Sequence, residues 1–418
     1  MSLIADVQAG DAVLSQREMA RQRNWVLGIV NISHTFNHLV TGMYPVLLAV
    51  MMAPLGFGYT ELGLLQAVHN MVGNLLQASY GFITQFFKRA VVLGVGNIVF
   101  GLATSLTGSA QSFGQVVVFK AASGAGSSPQ HVVGATMLST WFESARGRAL
   151  ALHSTAGNIG TLIAPLLAAG LLSFLDWRMV FLLIGIPSIC IGISYFLLRE
   201  TVQPAPITGR RGLARAGWNA YLACFKNRDL MLISLLMMVG AAGRQGGINQ
   251  TYLIPHFMFD LGIAATIAAS LLTIVQAGGL VAPLAWGWIS DIISRKLVMQ
   301  VALLLSAITT VWLGQQTALD ALLITNLAIH GLVVHARGAI TQAMVGDYAG
   351  EELQDAAFSL YYTIGLISGP IWVILMGAIM QSWGFAVATQ VAAVSYLLGM
   401  IILIPLKIGP RPASRYAG

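Results

Sequence analysis

Two related runs of ten residues decide the fold of this chain. One reads GWISDIISRK at residues 287–296, and the other reads GFITQFFKRA at residues 81–90. The glycines that open them, Gly81 and Gly287, are 206 positions apart. Further pairs at this spacing, to within one residue, are Arg89 with Arg295, Trp177 with Trp383, and Ala164-Pro165 with Gly369-Pro370. Repetition at one offset indicates that the chain is a duplicated unit.

The composition around these runs is that of a membrane protein. The 418 residues are 56% hydrophobic and 9% charged, whereas a soluble domain has roughly 25% charged residues. This excludes a cytosolic enzyme, a secreted domain and a nucleic-acid-binding protein. An outer-membrane barrel is also excluded, because its strands alternate apolar and polar residues. The sequence therefore predicts an all-α polytopic membrane protein.

Apolar runs of about 20 residues, the length that crosses a bilayer, occur twelve times. Spans 1 to 12 are predicted at 25–50, 61–86, 90–109, 113–139, 147–173, 178–198, 229–258, 263–289, 297–317, 321–345, 356–380 and 386–407. The predicted domains are a tail (1–24), an N-terminal half (25–198), a linker (199–228), a C-terminal half (229–407) and a second tail (408–418). Both halves have the same topology, so we expect the axis that relates them to follow the membrane normal.

The basic residues orient the chain in the membrane. With the N-terminus inside, the cytosolic segments hold 18 of the 22 Lys and Arg residues, and the outer loops hold one, Arg178. This asymmetry predicts cytosolic termini in a bacterial inner (cell) membrane. The formal charge of +7 then reflects topology, and no nucleic acid partner is expected. We expect a monomer in the lipid bilayer.

The run at 287–296 resembles the loop signature of the major facilitator superfamily, which has Gly, an Asp four residues on, and a basic pair. The run at 81–90 keeps the Gly and the basic pair but has Gln85 at the acidic position. Two other segments resemble superfamily motifs: Lys120-Ala-Ala-Ser-Gly124-Ala-Gly126 in span 4, with Lys for the usual Arg, and Gly157-Asn-Ile-Gly160 before Pro165 in span 5. The resemblance covers essentially the whole chain. It implies twelve helices in two six-helix halves, working by alternating access.

The motif residues are candidates for gating. Asp291 can pair with Arg295 or accept from a helix N-terminus, which would lock the halves on the cytosolic side, whereas Gln85 can only hydrogen-bond. Lys120 can be a latch to an outer acid such as Asp176 or a charge at the pathway entrance. The predicted gating residues are Gln85, Arg89, Lys120, Asp291, Arg295 and Lys296. The alternative is a positive loop with no gating role. We expect Gly124 and Gly126 to serve close helix packing.

The first half most resembles the fosmidomycin-resistance type of exporter. The residues that carry this resemblance are Ser33-His34, Asn37 and Pro45 in span 1, Gly124-Ala-Gly126-Ser127-Ser128 and His131 in span 4, and Gly157-Asn158 in span 5. The resemblance implies proton-linked efflux.

Ionisable residues are distributed unevenly across the predicted membrane. All fifteen Asp and Glu residues lie outside the span interiors, whereas all eight His residues lie within spans, together with Lys120, Arg244 and Arg337. A charged residue in the bilayer costs at least about 2.5–3.5 kcal/mol, and Arg stays protonated. Arg244 and Arg337 therefore need a negative partner, which the substrate can supply through paired hydrogen bonds. Alternatively, either Arg can snorkel or bind backbone carbonyls.

The repeat aligns Arg244 with His38 and Arg337 with His131. The superfamily resemblance places spans 1, 4, 7 and 10 around a central cavity, so these four residues are predicted to form a positive belt. The predicted substrate-binding residues are His34, His38, Gln66, His69, Asn70, His131, Arg244, Asn249, Gln250 and Arg337. His34, His38 and His131 are predicted to couple protons, because His titrates nearest physiological pH. For His153, His256, His330 and His335 we favour single interhelical hydrogen bonds, worth about 0.6 kcal/mol.

These observations predict a secondary active transporter for a small organic anion (a carboxylate, phosphonate or phosphate ester), coupled to protons. The alternatives are an anion exchanger, a drug or metabolite efflux pump of broader range, and a sensor that does not transport. An enzyme is not expected, because no nucleophile, acid pair or metal set is found at membrane depth. His34 and His38 are one helical turn apart, but the sequence places no third ligand beside them. We therefore predict no metal and no cofactor.

Overall fold

The computed structural model describes residues 16–84, 86–142, 145–198, 219–239 and 251–407, and within these ranges it contains helices and turns but no strand. The predicted all-α fold is confirmed. Most of the first predicted tail (1–15), most of the predicted linker (199–218) and all of the second predicted tail (408–418) lie outside the described residues.

The six spans of the first half are all helical. They are the helices Gln16–Leu55, Tyr59–Ile83, Arg89–Thr107, Phe113–Ser127 with Pro129–Trp141 (both span 4), Arg146–Leu172 and Trp177–Tyr195. Span 1 begins earlier than predicted, because the polar residues from Gln16 continue the helix beyond the apolar run. Span 4 is divided at Ser128, because Pro129 lacks a backbone N–H and starts a new helix.

The second half has less regular helices. Span 7 starts as Arg228–Val239 and ends as Leu253–Pro255 and the π-helix His256–Asp260, and its middle, 240–250, lies outside the described residues. Spans 8 and 9 are Ala265–Ile292 and Arg295–Gly314. Span 10 is Ala321–Val334 and continues into Ala336–Ile402, a helical run that also holds spans 11 and 12. Between those two, Gly384 has φ +80°, which glycine tolerates because it lacks a Cβ.

In the described part of the chain, eight helices are long and apolar enough to cross a membrane. They correspond to spans 1, 3, 5, 6, 8, 9 and 10 and to the joined spans 11 and 12. The other three predicted spans differ for identifiable reasons. Span 2 carries a row of polar side chains, span 4 is divided by Pro129, and span 7 crosses the residues that are not described.

Among the described residues, the buried core connects the two halves on one side of the molecule. We call the side on which the described chain begins and ends, at residues 16 and 407, the terminal side, and the opposite side the far side. On the far side, one apolar cluster contains residues of both halves, among them Leu62, Ala168, Tyr252 and Met376. On the terminal side the clusters are separate: one holds first-half residues such as Tyr80, and another holds second-half residues such as Met299. The halves are thus closed together on the far side.

Glycines allow several helices to approach closely. A Cβ on Gly124 would lie 2.3 Å from the carbonyl oxygen of His69, and one on Gly126 would lie 2.3 Å from the backbone nitrogen of Phe100. Both distances are far below van der Waals contact, so span 4 packs on spans 2 and 3 only because these residues lack side chains. The predicted packing role of Gly124 and Gly126 is confirmed.

Candidate functional site

Four histidines of the first half form one cluster, which we call the histidine cluster: His34 and His38 of span 1, His131 of span 4 and His153 of span 5. The His34 ring stacks on His153, with centroids 3.8 Å apart. It meets the rings of His38 and His131 edge-on, at 4.6 Å and 5.1 Å. His38 and His131 are 5.3 Å apart. The structure therefore brings together the three histidines predicted to couple protons.

Hydrogen bonds fix the orientation of the rings in the histidine cluster. The Nδ1 atom of His34 lies 2.8 Å from the backbone oxygen of His153, and because a carbonyl only accepts, Nδ1 donates. The Nε2 atom of His34 is then free to accept from Nδ1 of His131, 3.3 Å away. His38 Nδ1 lies 3.0 Å from Thr161 Oγ1. Spans 1, 4 and 5 are joined by these contacts.

Span 5 can approach the histidine cluster because two glycines face span 1. A Cβ on Gly157 would lie 2.8 Å from Cε1 of His34 and 3.0 Å from Cδ2 of His38. A Cβ on Gly160 would lie 2.3 Å from the carbonyl oxygen of Thr35. These are the glycines of the span 5 motif, so here the motif creates space for the imidazoles.

A polar cavity of about 250 Å³ lies beside the histidine cluster. Most of the described residues in its wall belong to the first half; they are Asn37, His38, Thr41, Gly42, Tyr44, Pro45, Gln66, His69, Asn70, Gly73, Asn74, Gln77, Ser127, Ser128, His131 and Thr161. The second half contributes Met237, Thr251, Gln276, Tyr362, Gly365 and Gly369. Of the predicted binding residues, five line the cavity: His38, Gln66, His69, Asn70 and His131. His34 lies behind them and is 5% exposed.

The polar row of span 2 faces this cavity. Gln66 Nε2 donates to Asn70 Oδ1 at 3.0 Å, which leaves the other amide atoms of both side chains for the cavity. Gln66 and Asn70 were both predicted to bind substrate; they lie one helical turn apart, and the structure places both on the cavity wall.

Lys120 occupies a different environment from either of the two that the sequence suggested. It is fully buried, and its Nζ atom lies 3.2 Å from the centroid of the Tyr44 ring, an attractive cation–π geometry. Among the described residues this Nζ has no hydrogen-bond acceptor. The carboxylate of Asp176 instead accepts from the backbone N–H of Arg178 at 2.8 Å.

Of the two arginines of the predicted belt, only Arg337 is described, and it is not among the described lining residues of the cavity. Arg337 is 6% exposed, near the start of the helical run Ala336–Ile402. Arg244, Asn249 and Gln250 lie outside the described residues, as does Gln85 of the first-half motif.

The second-half motif forms an ion-pair network on the terminal side. Arg295 Nη2 lies 3.0 Å from Asp291 Oδ1, which is the predicted pairing, and Arg295 Nε lies 3.1 Å from Asp347 Oδ2. Lys296 Nζ donates to the backbone oxygens of Ile404 and Leu406, at 2.7 Å each. All of these contacts lie within the second half, so in this conformation they tie spans 8, 9, 10 and 12 to one another.

The equivalent basic residue of the first half has a neutral partner. Arg89 is 7% exposed, and its Nη1 donates to Thr140 Oγ1 at 3.0 Å. This joins the start of span 3 to the end of span 4.

The far side is closed by contacts between the halves. Tyr59 OH donates to Asp260 Oδ1 at 3.2 Å, and the backbone N–H of Thr60 donates to Gln381 Oε1 at 3.1 Å. Asp260 Oδ2 also lies 2.7 Å from His256 Nδ1. His256, for which the sequence suggested one interhelical bond, thus bonds within its own helix instead.

The sequence did not predict three residues of these sites, His153, Thr161 and Asp347. His153, Gly157 and Thr161 recur every four residues and so share one helix face. Asp347 was missed because it lies 52 positions after Arg295, without a motif that links the two. The signal for His153 and Thr161 was in the sequence, whereas that for Asp347 was not.

Comparison with known proteins identifies the family. Residues 30–250 and 244–417 match the family model described as Major Facilitator Superfamily. The chain belongs to this superfamily. It is 26% identical to a probable L-galactonate transporter of Escherichia coli strain K12. The match covers 66% of this chain and 65% of that transporter, so this chain spans slightly less than two thirds of the relative's length. It is 21% identical to a sialic acid transporter of the same strain, over 87% and 88% of the two chains.

Other comparisons concern the predicted subfamily and the fold. The fosmidomycin resistance protein of the same strain is 25% identical over 36% of this chain and 37% of that protein, so the predicted resemblance is confirmed for part of the chain. A bacterial homologue of the human lysosomal transporter Spinster, solved inward-facing and unoccupied, superposes with a TM-score of 0.75 at 15% identity, over 92% and 95% of the chains. The twelve-helix, two-domain fold is confirmed. These proteins are transporters, and this multi-pass membrane protein is not an enzyme.

Proposed function

We propose that this chain is a secondary transporter that moves a small organic anion through the polar cavity by alternating access, coupled to protons. The observation that carries the proposal is the composition of the cavity wall. Its described residues include three imidazoles and several amides but no carboxylate. An anion entering this cavity therefore meets hydrogen-bond donors and protonatable groups and no fixed negative charge.

Two further observations support an organic anion. L-galactonate and sialic acid, named for two of the relatives, both carry a carboxylate. The cavity volume of about 250 Å³ lies just below the roughly 300–1,000 Å³ of sites for drug-sized ligands. We propose His38, His69, His131, Gln66 and Asn70 as anion contacts. Arg244 and Arg337 are included through the internal repeat, and Asn249 and Gln250 because they follow Arg244 in span 7.

The closure of the far side supports alternating access. We propose that the termini are cytosolic and the membrane is the bacterial cell membrane, in which case the far side faces outward and this conformation opens inward. In the other half of the cycle, the contacts of Tyr59 and Thr60 with the second half must break. The motif residues Arg89, Asp291, Arg295 and Lys296, together with Gln85, are proposed to control closure of the terminal side. Lys120, which lies against Tyr44 of the far-side cluster, is proposed to act in gating at the far side.

The histidine cluster supports proton coupling. His34 and His131 share a hydrogen bond of 3.3 Å, and His131 and His38 line the cavity, so a proton can pass from the cavity to a buried imidazole. The described wall offers no Asp or Glu for this purpose. The cavity is enclosed by one chain, so we propose that the monomer transports.

The test combines ligand-induced thermal shifts with flux. The purified protein is heated with galactonate, sialic acid, hexuronate or fosmidomycin, and with neutral sugars as controls. We expect an acid to raise the Tm, because a ligand that binds only the folded state stabilises it. The shift should be lost in His131→Gln and kept in His335→Gln, a matched change at an imidazole that bonds the Gly331 oxygen and is not among the described lining residues.

Flux in proteoliposomes then tests coupling. A pH gradient should drive uphill accumulation of the stabilising acid. Equal stabilisation by neutral sugars would exclude the anion site, and flux that ignores the pH gradient would exclude proton coupling. Stabilisation by fosmidomycin alone would favour the efflux alternative.

A further inference from the structure

We infer that His34, His38 and His131 form a binding site for a divalent transition-metal ion such as Zn²⁺ at the wall of the cavity. One ring nitrogen from each of the three residues can be chosen so that all lie within 4.8 Å of one another. The sequence places only His34 and His38 one turn apart. The fold supplies the third imidazole from span 4, 93 residues after His38.

The spacing of two nitrogens already suits a metal ion. Zn–N bonds of about 2.0–2.1 Å at a tetrahedral angle place two ligand nitrogens about 3.4 Å apart. Nε2 of His34 and Nδ1 of His131 are 3.3 Å apart. The ring centroid of His38 lies 4.6 Å from that of His34. Rotation of the partly exposed His38 side chain can bring one of its ring nitrogens to the third ligand position.

Hydrogen bonds at the back of the rings direct nitrogen lone pairs toward the site. His34 Nδ1 donates to the backbone oxygen of His153, so Nε2 of the neutral ring carries the lone pair. His38 Nδ1 lies against Thr161 Oγ1, and when it donates there its Nε2 is likewise free. Metal-binding histidines generally have such a second hydrogen bond, which fixes the tautomer. When the ion binds, the proton on Nδ1 of His131 moves through solvent to Nε2 of the same ring, so that the neutral imidazole binds the ion through Nδ1.

The donor set defines the class of ion. Three imidazoles without thiolate or carboxylate suit Zn²⁺, Co²⁺, Ni²⁺ and Cu²⁺ and do not suit Mg²⁺ or Ca²⁺, which need oxygen ligands. His131 is exposed and lines the cavity, so the ion can enter from there and keep its fourth position open for water or an anion.

Metal binding has a consequence for transport. The ion would join span 1 to span 4 and occupy the imidazoles to which the proposed function assigns proton coupling. Zn²⁺ should therefore inhibit flux. Metal binding itself does not depend on the proposed function, because the geometry requires only the three side chains.

The test is titration of tag-free, full-length protein with Co²⁺ alone, which reports tetrahedral coordination by its visible absorption. We expect one equivalent to bind with a tetrahedral spectrum, and Zn²⁺ to displace it. His131→Gln, at an exposed residue that should fold normally, should abolish the spectrum. His335→Gln is the matched control and should retain it. Thr161→Val, which removes the hydrogen bond to His38 and a bond to the Gly157 oxygen in its own helix, should weaken affinity about 10–100-fold.

Two results would overturn the metal site: the absence of a tetrahedral spectrum in the wild type, or an unchanged Co²⁺ affinity in His131→Gln. Folding of each variant is checked by its metal-free melting temperature and gel-filtration profile. If His131→Gln does not fold, Thr161→Val decides, and unchanged affinity in that variant overturns the site. Metal binding without anion flux would count against the proposed function only, and anion flux without metal binding against the metal site only.

Discussion

The two halves, which the sequence predicts to be copies of one unit, place their polar side chains at different depths. The first half gathers imidazoles in the middle of the molecule, where His38 and His131 line the cavity. The second half gathers charges at the terminal side, where Arg295 lies between Asp291 and Asp347. The two halves thus share a helical arrangement but differ in where their polar chemistry lies.

Positions that the repeat aligns show this difference directly. His131 and Arg337 are equivalent by the repeat, but His131 faces the cavity, whereas Arg337 is buried and absent from the described lining residues. Within the motif, Gln85 stands where the second half has Asp291. From this comparison we infer that the first half mainly binds the substrate and the second half mainly controls closure of the terminal side.

The largest effect on stability and flux is expected from Gly160→Ala, which disturbs the packing of spans 1 and 5 in the first half. The new Cβ would lie 2.3 Å from the carbonyl oxygen of Thr35, so spans 1 and 5 must separate at the histidine cluster. Such overpacking costs about 1–3 kcal/mol, and we expect a lower Tm and no measurable flux. Gly170→Ala is the control, because nothing lies within 4 Å of its Cβ position. Normal flux in Gly160→Ala would show that close packing of these spans is not required.

The next largest effect is expected from a comparison of His131 with Arg337, the residue equivalent to it in the repeat. His131→Gln should lower the rate at low substrate concentration at least about tenfold, equivalent to about 1.4 kcal/mol, because it removes a cavity-lining imidazole. Arg337→Gln, further from the cavity wall, should change that rate by less. Initial rates in proteoliposomes decide between them. If Arg337→Gln and Arg244→Gln both transport normally, the positive belt is excluded, and if Arg337→Gln has the larger effect, the assignment of binding to the first half is wrong.

A smaller effect is expected from breaking the second-half network. Arg295→Gln removes both ion pairs, and since exposed pairs contribute about 0–1 kcal/mol, the Tm should hardly change. We expect flux to fall severalfold because the terminal side closes less firmly. Gln85→Asp supplies the missing acid of the first half and should instead favour the terminal-closed state. Accessibility of terminal-side cysteines to a water-soluble reagent measures both, and identical accessibility in the two variants would contradict the latch.

The smallest effect is expected at the far side, where both halves meet. Tyr59→Phe removes the hydrogen bond to Asp260, worth about 0.5–1.5 kcal/mol, and should shift the population modestly toward far-side opening. Spin labels at the exposed positions Gln111 and Thr317 report this opening. Tyr221→Phe is the control, because Tyr221 of the linker bonds Ser359 of the second half and this bond does not cross between the two halves. A similar shift in both variants would mean that the Tyr59 bond has no special role in closure.

Much of the fold was predictable because the hydropathy pattern and the internal repeat are signals that extend over long segments of the sequence. Twelve apolar runs, the offset of 206 between Gly81 and Gly287, and the motif glycines were enough for the family. The break at Pro129 follows from proline chemistry and was still missed, since the apolar pattern of span 4 runs through it. Where a helix ends depends on local caps and turns, which hydropathy does not report.

The candidate site was predictable within single helices and less so between them. Helical spacing identified Gln66 and Asn70 as neighbours. It could not show that His131 and His153 meet His34, because the rotation of one helix against another is set by packing at residues such as Gly157 and Gly160. For the same reason a third imidazole for a metal ion was not foreseen, and sequence alone favoured no metal.

The apolar contact across the far side also has a thermodynamic consequence. Leu62, Tyr252 and Met376 belong to one buried cluster formed by both halves, and opening the far side would bring part of this surface into contact with water. Hydration of apolar surface carries a positive heat capacity. The equilibrium between the two access states should therefore curve with temperature, with apolar adhesion weakening on cooling. The ratio of the two states would then depend on growth temperature even at constant substrate and proton gradients.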